Sequence, residues 1–64
     1  MTTNTDRVID ALRRSSGLDD DELAREAAGE PREVILICRY LEILGKLHRR
    51  LGPEGKIINF LINT

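Results

Sequence analysis

The densest group of ligating side chains in these 64 residues is the run Asp19-Asp20-Asp21-Glu22. Four adjacent carboxylates could attract a divalent cation. A calcium loop, however, spaces its oxygen donors at alternate positions and bends at a glycine. The run has neither feature, and capping of a following helix accounts for it. His48 and Cys38 are the only histidine and the only cysteine. A zinc site takes three or four such ligands, so no metal and no cofactor is expected. No nucleophile–base pair, phosphate-binding glycine loop or spaced carboxylate pair is visible, so neither an enzyme nor a small-molecule substrate is expected.

The remaining chemistry is basic. Lys46, His48, Arg49 and Arg50 crowd together, with Lys56 a short turn later and Arg13 and Arg14 far upstream. With Arg32 and Arg39, the set Lys46, Arg49, Arg50 and Lys56 is what a nucleic acid would meet. Strand alternation divides that cluster between two faces. Ten Lys and Arg stand against eleven Asp and Glu, a net charge of -1, which is a poor balance for phosphate binding.

Three helices and a hairpin must position these groups. Residues 6–15, DRVIDALRRS, carry an apolar stripe of Val8, Ile9 and Leu12, with Thr5 or Asn4 able to cap it and Asp6 at the positive end of the dipole. Residues 20–28 follow an Asp19 cap with Glu22 three residues on, a capping-box variant, and turn Leu23, Ala24 and Ala27 inward. Gly29 is placed to take a backbone conformation that other residues resist. Residues 31–44 begin with Pro31, which suits a first helical position, and end before Gly45. KLHRRL, the turn GPEG and KIINFLI then form a β-hairpin. The fold class expected is mainly α with a small hairpin: a flexible stretch at residues 1–5, then one domain over 6–64. A single domain of this length buries only about 60% of its unfolded surface, so it has few apolar residues to spare.

Set in that order, DELAREAAGEPREVILICRYLEILGKLHRRLGPEGKI resembles a winged helix-turn-helix domain. Ala24 stands where that family has a small residue in its second helix, and Gly29 in the tight turn. Val34, Ile37 and Leu41 stand at the buried positions of its third helix. RYLEILGKLHRR resembles the passage from third helix into wing, and GPEG the wing tip. The resemblance covers about residues 6–61. It implies a third helix that enters the major groove of DNA, with Glu30, Arg32, Glu33, Ile35, Leu36 and Arg39 on the reading face and Glu54 and Lys56 on the wing. The side chains depart from that role. Glu30, Glu33 and Glu54 repel phosphates, and Ile35 and Leu36 cannot hydrogen-bond base edges.

At about 100° per residue, the third helix divides into two apolar arcs. Val34, Ile37, Cys38, Leu41 and Leu44 make the core side, meeting Leu12, Leu23, Ala27 and Phe60. Leu36, Tyr40 and Ile43 lie on a second arc, flanked by Arg32 and Arg39, with Ile35 further round. Tyr40 is the member best placed to be partly covered by the hairpin or the N-terminal tail. An apolar stripe rimmed by arginine has the look of a protein-contact site. The function expected is a protein-interaction module, a homodimer through Arg32, Ile35, Leu36, Arg39, Tyr40 and Ile43. An interface engineered onto a winged-helix scaffold would have this appearance. The alternative is a double-stranded DNA-binding domain of a transcriptional regulator. The lone cysteine and the polar start, MTTNT, point to a reducing, cytoplasmic setting, and no apolar run approaches the roughly 20 residues that span a bilayer.

Overall fold

The computed structural model describes residues 3–62. Its elements run α1 (Asn4–Arg14), β1 (Leu18–Asp19), α2 (Asp20–Glu26), α3 (Pro31–Ile43), β2 (Leu47–Leu51) and β3 (Ile57–Leu61). Three helices pack on a small antiparallel sheet in the order β1-β3-β2. The sequence foretells the helices and the hairpin but not the third strand. β1 is two residues long and pairs Leu18 with Asn59 and Asp19 with Ile58. So short a strand has no periodicity to detect.

Helix ends explain the boundaries. α1 starts earlier than expected because Thr3, not Thr5 or Asn4, is its cap. The Asp6 amide donates to Thr3 Oγ1 at 3.1 Å, and the Thr3 amide donates to Asp6 Oδ2 at 3.3 Å. Of the stretch expected to be flexible, residues 3–5 thus form the cap and first turn, and residues 1–2 lie outside the described residues. The box expected at α2 is present: the Glu22 amide donates to Asp19 Oδ1 at 2.7 Å, and the Asp19 amide to Glu22 Oε1 at 3.2 Å. Pro31 opens α3 as expected.

The turn between α2 and α3 corrects one expectation. Ala28, not Gly29, takes the left-handed conformation, with φ 52°. The Gly29 amide donates to the Ala24 carbonyl at 2.9 Å and the Ala28 amide to Arg25 at 3.2 Å, the paired bonds of a Schellman cap. Gly29 instead sits in tight space: a Cβ there would lie 3.0 Å from Val34 Cγ2, so that side chain would have to shift. Since the exposed Ala28 side chain packs little, its strained backbone is a standing cost. Ala28→Gly should therefore raise stability by roughly 0.5–1 kcal/mol, a few degrees in Tm by circular dichroism. A lowered Tm would show that the Ala28 methyl matters to the turn.

The core is aliphatic: Val8, Ala11 and Leu12 of α1, Leu23, Ala24 and Ala27 around α2, Val34, Cys38 and Leu41 of α3, and Leu47 of β2. Ile9, Leu18, Ile37 and Leu61 pack against it in part. Two expected core members are placed otherwise. Leu44 is nearly half exposed, because α3 ends at Ile43 and Leu44 is only its cap residue. Phe60 lies on the outer face of the sheet, since alternation along β3 turns Asn59 inward instead. There its ring sits against Gly17, whose φ is 83°, and under the Arg50 guanidinium, 5.1 Å from the ring centroid.

Candidate functional site

Two assemblies of side chains stand out, one buried and one exposed. The buried one is centred on Asn59, which has no solvent exposure. Its Nδ2 donates to the Leu18 carbonyl at 3.1 Å and to Asp20 Oδ1 at 2.8 Å, while its Oδ1 accepts from Arg49 Nε at 3.0 Å. Arg49 Nη2 closes the ring by donating to Asp20 Oδ2 at 2.7 Å. All three strands and the first residue of α2 are thereby joined by one polar cluster. Every strong hydrogen-bonding atom of Asn59 is used, which is the condition for keeping such a group in a core.

This cluster was not foreseen from the sequence, because its members are separated by 29, 39 and 10 positions. One signal was available. In IINFL an asparagine shares its strand face with Ile57 and Leu61, and a polar residue on an inward face must find partners. The run 19–22 is divided among structural tasks: Asp19 caps, Asp20 joins the Asn59 cluster and Glu22 completes the box. The Asp19 carboxyl is held below the usual carboxylate range, chiefly by the Glu22 amide, against the opposing effect of burial and with help from Lys56 at 3.7 Å.

Cys38 is buried beneath the same region. Burial pushes its thiol up to about 11, with the Asp20 charge adding to the effect and Arg49 opposing it. Two results should follow. In the folded protein the thiol should resist Ellman's reagent at pH 8 and react at once in denaturant. Below pH 9.0 both folded and unfolded chains hold the proton. Between there and about 11 only the folded chain does, so stability should fall across that window. Rapid labelling of the native protein would show that α3 opens readily.

The exposed assembly is the outer arc of α3. Leu36, Tyr40 and Ile43 are 63%, 58% and 82% exposed. Arg32 and Arg39 are exposed beside them. Ile35 leaves this set: it is half-buried and turns toward the groove lined by Asp20, Gly55 and Ile57. Leu44, displaced from the core, extends the apolar surface at the end of the helix. The basic residues separate likewise. Lys46, His48 and Arg50 are exposed, Arg49 is spent on Asp20 and Asn59, and Lys56 is exposed with its ammonium 3.7 Å from Asp19.

The class these features define is a small domain of three helices and a three-stranded antiparallel sheet, with an uncovered apolar helix face. Among the described residues no helix is long and apolar enough to cross a membrane. No protein-family model matches the chain, and comparisons with curated proteins and with solved structures found no significant match.

Proposed function

We propose that this domain is a protein-interaction module on a winged-helix-like scaffold, and that it pairs with a second copy of itself through α3. The observation that carries the reading is the exposure of Leu36, Tyr40 and Ile43 along one line of a helix in a domain with few apolar residues to spare. A second copy fits the charges as well as the shape. Arg39 and Glu42 share one flank of the stripe, so an antiparallel crossing with Tyr40 near the two-fold axis sets each Arg39 against the other copy's Glu42. Leu36 then meets Ile43 and Leu44 of the other copy. Full burial of a Leu or Ile stabilises by roughly 1.5–3 kcal/mol. Six such side chains, partly covered already in the monomer, are enough to offset the entropic cost of association and support a Kd roughly in the micromolar to tens-of-micromolar range. The lone buried thiol suits a reducing, cytoplasmic setting.

Disulfide trapping tests the crossing. Mild oxidation of a Tyr40→Cys variant should yield a covalent dimer, while Glu54→Cys at the hairpin tip should not. Equal trapping at both positions would argue for random collision. The competing reading, a duplex DNA-binding domain, draws on the element order and on exposed Arg32, Arg39, Lys46 and Arg50. Against it stand the exposed Glu30 and Glu33 at the start of α3 and the engagement of Arg49 by Asp20. Titration with random duplex separates the two readings: DNA binding requires an affinity that falls steeply with salt.

A further inference from the structure

β2 is an edge strand. It pairs with β3 on one side, and among the described residues no strand lies on the other. The Ile62 amide donates to the Lys46 carbonyl at 3.0 Å and the Gly52 amide to Lys56 at 2.7 Å, at the two ends of the ladder. Antiparallel bonding alternates along a strand, so His48 and Arg50 also bond inward to β3. The amides and carbonyls of Leu47, Arg49 and Leu51 therefore face outward as a ladder that no described strand fills. Side chains follow the same alternation. Leu47 is buried and Arg49 is drawn toward Asp20, which leaves Lys46, His48 and Arg50 as a basic row on the outer face. Arg50 is held there over Phe60. Leu51, 70% exposed, offers an apolar contact at the end of the strand.

We infer that the free edge of β2 accepts an extended acidic segment of a partner protein as a fourth strand. The charge pattern selects the occupant. A second copy of β2 would bring its own exposed Lys46 and Arg50 to the same face of the edge, adding like charge to the basic row rather than neutralising it. A strand with Asp or Glu at every second position places its carboxylates beside Lys46, His48 and Arg50, while its main chain fills the open ladder. Phosphate would meet the same charges but would leave those hydrogen bonds unmade.

This surface is separate from the α3 stripe, and one titration tests it. A seven-residue peptide of alternating Glu and Val is added to the full chain labelled with 15N, with a Lys–Val peptide as control. The acidic peptide should shift the amides of Leu47, Arg49 and Leu51 and slow their exchange with solvent, leaving Leu36 and Ile43 unaffected. The double variant His48→Glu, Arg50→Glu should weaken the acidic peptide by roughly tenfold or more and strengthen the Lys–Val peptide. Leu51→Pro, which removes an outward amide and no ladder bond to β3, should weaken binding without reversing the charge preference. Absence of protection at millimolar peptide overturns the inference. So does equal binding of the Lys–Val peptide, or a random oligonucleotide duplex that displaces the acidic peptide from these amides.

Discussion

Asn59→Ala should destabilise the domain by about 3 kcal/mol, measured by urea or thermal unfolding followed by circular dichroism. The substitution takes a donor from the Leu18 carbonyl, another from Asp20, and the acceptor from Arg49 Nε, all at the centre of the sheet. A chain of this length is expected to have roughly 3–10 kcal/mol of stability in total, so the loss is at least about a third of it. Asp20→Ala should come close to the same result, because it leaves a mostly buried guanidinium without its counter-charge. The two losses should not add, since both substitutions break one cluster, and a double-mutant cycle should return a coupling well above 0.5 kcal/mol. A loss below about 1 kcal/mol for Asn59→Ala would mean that water replaces the amide freely and that the sheet does not depend on it.

Leu41→Ala and Ile43→Ala should differ sharply although they lie two residues apart on one helix. Leu41 is fully packed among residues of α1, α2 and β2, and its truncation should cost about 2–5 kcal/mol through lost burial and the cavity left behind. Ile43 projects into solvent, so its truncation should change the stability of dilute, monomeric protein by no more than about 0.5 kcal/mol. Its effect should emerge only at high concentration, as a loss of self-association. Unfolding in urea at low and high protein concentration separates the two. A large loss for Ile43→Ala in dilute protein would show that the outer arc supports the monomer fold rather than a contact.

Much of this arrangement was legible from local chemistry. The Asp19–Glu22 box, Pro31 at the start of α3 and Gly45 at its end are signals carried by neighbouring residues. The two arcs of α3 follow from helical periodicity, and the structure leaves Leu36, Tyr40 and Ile43 exposed where the angles put them. What escaped depended on the partners that folding brings together. β1 is a strand only because β3 lies beside it. Phe60 is the bulkiest apolar residue of its segment, but its face is set by the register of the hairpin, and that register turns Asn59 inward. Ile35 stands close enough to the stripe in angle to be grouped with it, and only the position of the hairpin tip shows that it is half-covered. Ala28 carries the left-handed turn beside a glycine that reads as the natural choice, because the residue at which the helix ends is set by its cap hydrogen bonds.

Sedimentation equilibrium of the wild-type chain, beside a Leu36→Glu, Ile43→Glu variant, tests the central claim most directly. At several hundred micromolar, roughly ten times the Kd expected for the α3 contact, the wild type should approach twice the mass of one chain. The variant should remain at one mass with an unchanged circular dichroism spectrum, since both positions are exposed in the monomer. A wild type that stays monomeric at that concentration, or a variant that associates equally well, would contradict the proposal that the outer arc of α3 is where this domain meets its own copy.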